Sequence, residues 1–320
     1  MIKECHENYQ WNIALMCKIA GIKRKTYYKW LHTPTSQKEL SDQRLTARII
    51  AIAKSNNSLF GVGKMTMMLN KTAKPNEEKY GHNRIARLMS INGIKCQRAK
   101  YNKPWRAKHP SGNQTAENIL HRNFNVDAPN QKWGTDITEV TAKGIGKKAY
   151  LATVIDLYDR FPVGYAISDR NDTILTQKAI DEAFNNYPDA HPIFHSDRGF
   201  QFTRQSFKDY LKEHQATQSM SRVGCCIDNG PVEGWQGHVK EMRQVLYPEV
   251  KDYNELVNSM KLTIKYYIEQ DPQARFHGKT AGEIRAEAMK GNVQSYPIAP
   301  NPRIMKYKEE LKRKQKTNSN

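Results

Sequence analysis

The sequence predicts an α/β (α+β) protein: a mixed five-stranded sheet flanked by helices, preceded by an all-helical region and followed by C-terminal helices. Two observations lead to this prediction. Residues 126–247 alternate short β-like runs with amphipathic segments in the order β-β-β-α-β-α-β-α, which is typical of a mixed sheet covered by helices. Residues 1–94 show apolar residues at helical spacing instead. The length of 320 residues allows one large domain or two to three smaller ones.

The first helical segment, WNIALMCKIAGIKRKTYYKWL, divides at Gly21 into two short helices, the second of which mixes cations with aromatic rings. This pattern suits a helix-turn-helix whose second helix faces DNA. The candidate DNA contacts are Lys23, Arg24 and Lys25. An ordinary helical hairpin explains the spacing equally well, and its core residues would be Tyr27, Trp30 and Leu31.

A second helix pair follows in GVGKMTMMLN and GHNRIARLMSING. In its second member, Ile85, Leu88 and Met89 form the predicted buried stripe. Arg84 and Arg87 fall off that stripe. They are candidates for phosphate contacts, with a solvated helix face as the alternative.

Residues 95–125 form a predicted basic linker. Its first part, KCQRAKYNKPWRAK, contains six cations and no acid, with Tyr101 and Trp105 among them. Cations interleaved with aromatic rings favour nucleic-acid contact, and a flexible interdomain tether is the alternative. The candidate DNA-binding residues are Arg98, Lys100, Lys103, Trp105, Arg106 and Lys108.

Within residues 126–247, the runs QKWGTDITEV, KAYLATVIDLYDR and FPVGYAISD predict three strands of an antiparallel meander, with Asp159 and Arg160 turning between the last two. HPIFHSD and TQSMS predict the fourth and fifth strands. Pro231 suits the first turn of the helix after them. Residues 248–300 predict C-terminal helices, and residues 301–320 predict a basic tail with seven cations and two acids.

The formal net charge is +19 and the isoelectric point is about 9.6, so the expected partner is a polyanion, above all nucleic acid. No apolar run approaches the roughly 20 residues that span a bilayer, so no membrane association is expected. The five cysteines include no C-x-x-C pair, which argues against a zinc site or a disulfide framework. We therefore expect an intracellular, cytoplasmic protein.

Three acids stand where such a sheet would gather them. Asp136 lies within the first predicted strand, Asp197 ends the fourth, and Glu233 lies in the first turn of the following helix. Three adjacent carboxylates repel one another unless cations neutralise them. Hard oxygen ligands suit Mg²⁺ or Mn²⁺, and two such ions about 4 Å apart can activate the attacking oxygen and stabilise the leaving oxygen of a phosphodiester.

Each acid alone also has a structural explanation: a turn for Asp136, a helix cap for Asp197 and a favourable helix dipole for Glu233. The joint pattern is what favours a catalytic site. The rival acids are Asp156, Asp159 and Asp228.

The pattern resembles a known family. Thirty-five residues separate Asp197 from Glu233, and Lys240 follows seven residues later, which matches the D,D(35)E arrangement and the basic residue of transposases and retroviral-type integrases. WGTDIT, HSDRGFQFT, SMSRVG and DNGPVEGWQGHVKEM are similar to the second-frame (OrfB) protein of bacterial insertion sequences. YYKW, FGVGKM and HNRIARLMSINGIK extend the resemblance to nearly the whole chain.

This resemblance implies an RNase H-like integrase catalytic core, two Mg²⁺ or Mn²⁺ ions per active site, and DNA cleavage at element ends followed by strand transfer. The implied catalytic metal ligands are Asp136, Asp197 and Glu233. The implied supporting residues are His195, Asn229 and Lys240, and Lys240 would also contact DNA.

The resemblance also implies partners. They are the terminal inverted repeats and target DNA, a second or further copy of the chain on DNA, and a helix-turn-helix protein from an upstream frame, or a frameshift fusion with it. Association with the nucleoid follows from these partners.

Two alternatives to a DDE transposase stay open. One is a catalytically silent or domesticated DNA-binding remnant, against which the three intact carboxylates argue. The other is an RNase H-like nuclease, against which the helical N-terminal region and the basic linker argue. The loop GCCIDNG, the glycines at 234 and 237, and DPQARFHGKTAGEIR depart from the family pattern without removing a carboxylate.

Overall fold

The computed structural model describes residues 1–33, 36–73, 79–97, 116–222, 226–298, 301–302, 304–307 and 309. By its internal contacts the chain divides into two compact units, Met1–Ala51 and Ile52–Asn320. In the described residues, no helix is both long enough and apolar enough to cross a membrane.

The first unit is helical, as predicted. Its helices are α1 (Ile2–Tyr9), α2 (Ile13–Ile19), α3 (Arg24–His32) and most of α4 (Gln37–Ser55). Asn12 caps α2, since its side-chain oxygen accepts from the Ala14 N–H at 2.8 Å. Gly21 takes a φ of 68° in the turn to α3, a conformation that glycine adopts without strain. In α3, Tyr27 is buried whereas Trp30 is 65% exposed, so Trp30 is not a core residue of this helix pair.

The second unit contains the sheet. Its elements are α5 (Val62–Lys71), α6 (His82–Ile91), β1 (Lys132–Val140), β2 (Ala149–Asp156), β3 (Pro162–Ser168), α7 (Thr173–Asn186), β4 (Ile193–Ser196), α8 (Gln205–Glu213), β5 (Thr217–Met220), α9 (Gly230–Leu246), α10 (Tyr253–Gln270) and α11 (Ala281–Met289). The strand order is β3-β2-β1-β4-β5. Strands β1, β2 and β3 form the predicted antiparallel meander, and β4 and β5 run parallel to β1. The predicted mixed five-stranded sheet with flanking helices is therefore confirmed.

The sheet is buried on both faces because its side chains alternate between two helical layers. On one face, Trp133 of β1 and Phe194 of β4 pack with apolar residues of α7 and α8. On the other face, Ile155 of β2 belongs to the same apolar cluster as residues of α9, α10 and α11. Strand β1 lies at the centre of this sandwich and carries Asp136 into it.

Helix α5 is tied to the C-terminal helices of the same unit by ion pairs. Lys64 pairs with the fully buried Asp271, which also lies 2.9 Å from Nε2 of His238 on α9. Lys71 Nζ lies 2.6 Å from a carboxylate oxygen of Glu283 on α11. Helix α5 is therefore part of the same compact unit as the five-stranded sheet.

Candidate active site

The main chain brings Asp136 and Asp197 to neighbouring strands. In the parallel pairing of β1 with β4, Gly134 lies opposite His195. Asp136 follows Gly134 by two residues, and Asp197 follows His195 by two residues, just beyond the end of β4. Continuing the register therefore puts the two acids at the same level, on strands about 4.8 Å apart. Strands β1 and β4 are therefore neighbours in the sheet.

Helix α9 brings Glu233 to the same part of β1. The Asn229 side chain donates to the Thr135 carbonyl at 3.1 Å, and the Gln236 side chain donates to the Asp136 carbonyl at 3.0 Å. Glu233 lies in the first turn of α9, three residues before Gln236, so the two residues are neighbours along one side of the helix. Helix α9 and strand β1 thus run side by side at the level of Asp136 and Glu233.

The individual carboxylates have main-chain partners. An Asp136 oxygen accepts from the Ile137 N–H at 2.8 Å, and an Asp197 oxygen accepts from the Gly199 N–H at 2.8 Å. Asp136 is buried, whereas Asp197 and Glu233 are half-buried. Across the described ranges, no three His, Cys, Asp or Glu side chains are arranged so that they could hold a metal ion. The backbone therefore brings Asp136, Asp197 and Glu233 into one region of the sheet, although their side chains are not arranged as a group of three metal ligands.

His195 is a buried polar link between β4 and β5. Its Nδ1 lies 2.9 Å from the Ser219 hydroxyl and its Nε2 lies 3.2 Å from the Ser221 hydroxyl. Burial lowers the pKa of His195 to about 4, and the opposing charge of Asp228 only partly offsets that effect. The ring is therefore neutral at pH 7, and it holds together the two strands next to Asp197.

Lys240 lies further along α9 than Glu233. Its Nζ donates to the Thr138 hydroxyl at 2.7 Å and to the Glu139 carbonyl at 3.4 Å. The contacts of Asn229, Gln236 and Lys240 fall in order along β1, so α9 and β1 run in the same direction. Two of the predicted supporting residues, Asn229 and Lys240, are thus fastened directly to the strand of Asp136.

Asp228, a rival acid, is bound by arginines. Arg122 Nε lies 2.6 Å from one carboxylate oxygen, and Arg222 Nε lies 2.8 Å from the other. Burial by itself raises the pKa of Asp228, but hydrogen bonds from Arg222 and Arg122 outweigh burial and lower the pKa to about 2. The centre of the Tyr307 ring lies 4.1 Å from the guanidinium carbon of Arg122 and 3.8 Å from that of Arg222.

Asp156 and Asp159, the other rival acids, are fully buried. Arg285 Nη2 donates to Asp156 at 2.8 Å and to Asp159 at 2.9 Å. These ion pairs tie α11 to the turn between β2 and β3. All three rival acids are therefore paired with arginines in the folded chain.

Gln236 was not singled out from the sequence. It is 2% exposed and lies among the apolar residues Val232, Trp235 and Val239 of α9. The sequence signal was a polar residue within that apolar face, but helical periodicity by itself does not separate a buried amide from a solvated one.

Among the candidate DNA contacts, Lys23, Arg24 and Lys25 are exposed at the start of α3. Arg87 is exposed on α6, and Arg84 lies half-buried, with its guanidinium carbon 5.9 Å from the centre of the Tyr80 ring. The candidates of the basic linker fall outside the described residues: Arg98, Lys100, Lys103, Trp105, Arg106 and Lys108.

Two family models match the chain. The model described as integrase core domain matches residues 126–226, which include Asp136 and Asp197 and end shortly before Glu233. The model described as HTH-like domain matches residues 40–101, which include α5 and α6. The match starts after α2 and α3, so a helix-turn-helix at those two helices stays a prediction.

Solved structures with similar folds include an integrase core domain and a viral intasome. The catalytic core domain of HTLV-2 integrase, in complex with magnesium, is 19% identical with a TM-score of 0.38, and the match covers 49% of this chain and 97% of that one. A simian T-cell lymphotropic virus intasome, in complex with PP2A regulatory subunit B56 gamma, is 14% identical with a TM-score of 0.46 over 60% of this chain and 65% of that one.

Several similar curated proteins come from insertion sequences. InsK of IS150 from Escherichia coli K12 is 32% identical over 84% of this chain and 92% of its own length. The IS600 31 kDa protein of Shigella sonnei is 33% identical over 70% of this chain and 80% of its own length. The transposase InsF of IS3A from E. coli K12 is 29% identical over 82% of this chain and 88% of its own length. The chain combines an integrase core with an HTH-like domain, and its identity with InsK extends over nearly the whole of InsK. The chain therefore belongs to the IS3-family, second-frame (OrfB) insertion-sequence transposases, which are polynucleotidyl transferases that act in DNA transposition.

Proposed function

We propose that this transposase cleaves DNA at the ends of its element and joins the freed ends to target DNA, with Asp136, Asp197 and Glu233 at the reacting phosphodiester. The observation that supports this most is the parallel register of Gly134 with His195, because it leads both aspartates to one level of the sheet. The side-by-side course of β1 and α9 supports Glu233 as the third carboxylate.

The donor chemistry of the three residues suits a divalent cation, and their backbone positions lie in one region of the sheet. Carboxylate oxygens are the ligands that Mg²⁺ and Mn²⁺ prefer, so Asp136, Asp197 and Glu233 would hold two such ions. When bound, such ions supply charge neutralisation for the attacking and leaving oxygens of the phosphodiester.

The reaction has two steps, hydrolysis at the element end and transfer of the freed end to the target. Water attacks the phosphodiester at the element end, and the broken bond leaves a free 3′-OH on the element. That 3′-OH then attacks a phosphodiester of the target, so one bond forms as another breaks and the leaving 3′-oxygen takes up the proton. No covalent bond to the protein is needed in either step.

The chain's own residues position these groups. His195, neutral at pH 7, keeps β4 next to β5 at the level of Asp197. Asn229 holds the start of α9 against β1, and Lys240 offers a cation two helical turns after Glu233. The exposed cations Lys23, Arg24, Lys25 and Arg87, together with Arg84 and the basic linker, would hold DNA phosphates.

The proposal includes partners and location. The DNA partners are the terminal inverted repeats and the target, and joining two ends calls for at least a dimer on DNA. A helix-turn-helix protein of an upstream frame, or a fusion to it, would supply further recognition of the repeats. Such a protein works in the cytoplasm, at the nucleoid.

A strand-transfer assay tests the proposal. The purified chain is mixed with labelled DNA carrying the element end and with Mg²⁺, and Glu233→Gln is run beside it. Joined products that disappear with Glu233→Gln support both the reaction and the third carboxylate. Joined products that persist unchanged with Glu233→Gln would contradict the assignment of Glu233.

A second candidate function is a DNA-binding remnant without catalysis. The observation that favours it is the lack, among the described side chains, of an assembled group of three metal ligands. Tight, salt-sensitive DNA binding with no joined product would favour this reading. Repeating the assay with the upstream frame attached then separates a remnant from one half of a working fusion.

A further inference from the structure

The buried amide of Gln236 connects three elements at the candidate active site. It lies on α9, and its Nε2 donates to the Asp136 carbonyl of β1 at 3.0 Å and to the Thr153 hydroxyl of β2 at 3.2 Å. Thr153 is the residue directly opposite Asp136 in the pairing of β1 with β2. One side chain therefore holds the helix of Glu233, the strand of Asp136 and the next strand in a fixed relation.

The bond to Asp136 acts on the peptide unit that supports its carboxylate. The Asp136 carbonyl and the Ile137 N–H belong to the same planar peptide group. Gln236 holds the carbonyl, and an Asp136 carboxylate oxygen accepts from the Ile137 N–H at 2.8 Å. Fixing the plane through its carbonyl thus fixes the N–H against which the Asp136 carboxylate rests.

The surroundings of Gln236 explain why a polar side chain is useful there. Val232 and Val239, four residues before and three after it, are both buried against the sheet, and apolar contacts have no preferred direction. Such contacts tolerate small rotations of α9 that would move Glu233 relative to Asp136. Hydrogen bonds from a 2%-exposed amide are directional, and leaving its partners unpaired is unfavourable.

We propose that Gln236 is a positioning residue for strand transfer, which sets the Asp136 peptide and the helix of Glu233 in the geometry that the reaction needs. This inference rests on the proposed function, because it assumes that Asp136 and Glu233 act together. It assigns no contact between Gln236 and DNA.

The test substitutes Gln236→Met, which keeps the length of the side chain and removes its hydrogen-bond donor. The matched control is Asn186→Leu, because the Asn186 amide likewise joins a helix to a strand, donating to the Val163 carbonyl at 3.1 Å on α7 and β3. Thr153→Val is a second variant, which removes the other partner of Gln236 and leaves its bond to Asp136.

Two measurements are made on the full chain: Mn²⁺ binding by electron paramagnetic resonance without DNA, and strand-transfer rate against Mn²⁺ concentration. We expect Gln236→Met to weaken Mn²⁺ binding and to lower the strand-transfer rate by about tenfold or more, as loss of an orienting partner does in metal sites. Asn186→Leu is expected to stay within about twofold of wild type in both measurements. Thr153→Val, which removes only one of the two partners of Gln236, is expected to have a smaller effect than Gln236→Met.

Equal Mn²⁺ binding and equal rates in Gln236→Met and wild type would overturn the inference. If Gln236→Met does not fold, Gln236→Leu is used, because its apolar side chain also lacks the hydrogen-bond donor. A wild-type chain that neither binds Mn²⁺ nor joins DNA would instead contradict the proposed function, so the two failures are distinguishable.

Discussion

Gly134 of β1 and Val232 of α9 are in such close contact that a Cβ atom at Gly134 would lie 2.5 Å from Val232 Cγ2. Gly134 also lies opposite His195 in the register that leads to Asp136 and Asp197. The absence of a side chain at Gly134 is therefore what lets α9 approach β1 closely next to Asp136 and Glu233.

Gly134→Ala should push α9 away from β1. Val232 and the neighbouring strands are buried, so the added methyl group cannot be accommodated without displacement, and overpacking of this kind costs about 1–3 kcal/mol. We expect a lower urea midpoint and a larger fall in strand-transfer rate than stability alone explains, since Glu233 moves with the helix. Urea unfolding and the strand-transfer assay measure the two effects.

The control is Gly146→Ala, because a Cβ atom at Gly146 has nothing within 4 Å. It should leave both stability and rate near wild type. A Gly134→Ala variant with wild-type stability and rate would show that α9 does not need this close approach.

Asp228→Asn should destabilise the chain in a pH-dependent way. The arginine pairs lower the pKa of Asp228 from 3.8 to about 2, which corresponds to about 2 kcal/mol of stability at neutral pH. A carboxyl whose folded-state pKa is lowered contributes stability above about pH 4, and that contribution is lost as the pH falls towards 2. The gap in unfolding free energy between wild type and Asp228→Asn should therefore be largest at pH 7 and should narrow below pH 4.

Urea unfolding at several pH values measures that gap. Asp189→Asn, at an exposed position, is the matched control and should show little difference from wild type at any pH. A gap for Asp228→Asn that stayed constant from pH 7 to pH 3 would contradict the assignment of its stabilising effect to the ionised carboxylate.

The start of α3 offers a prediction about DNA. Lys23, Arg24 and Lys25 are all exposed, so each is able to reach a phosphate. Replacing all three with alanine should weaken DNA binding at every sequence tested. It should also reduce the slope of log affinity against log salt by up to about 3, since each lost phosphate contact removes about 0.9.

Fluorescence anisotropy over a salt series measures this slope. Lys3→Ala on α1, where Lys3 Nζ lies 3.8 Å from Glu7 in an exposed pair, serves as the single-charge control. An unchanged slope in the triple variant would favour the ordinary helical hairpin for α2 and α3, and would direct attention to α6 and the basic linker.

Much of the architecture follows from local pattern. The short β-like runs and the Asp159–Arg160 turn predicted the meander of β1, β2 and β3, because strand-forming runs and turn residues are local features of a sequence. The spacing of Asp197, Glu233 and Lys240 needed only counting along the chain. The integrase-core and HTH-like matches agree with that reading of the fold.

Contacts between segments distant in the chain cannot be predicted from local sequence pattern. The arginines that bind Asp228 and the pair of Arg285 with Asp156 join residues far apart in the chain, and charge alone does not say which acid meets which base. The burial of Gln236 likewise depends on how α9 is rotated against the sheet, which periodicity fixes only within a broad apolar face.

The sequence by itself determined the fold class, the five strands in order and the candidate carboxylates, because periodicity, turn residues and residue spacing are local properties. Only the tertiary structure decided the register of Gly134 with His195, the seating of α9 on β1 through Asn229 and Gln236, and the pairing of the rival acids with arginines. The physical reason is that these relations arise from packing and hydrogen bonding between segments distant in sequence, which become neighbours only when the core is closed.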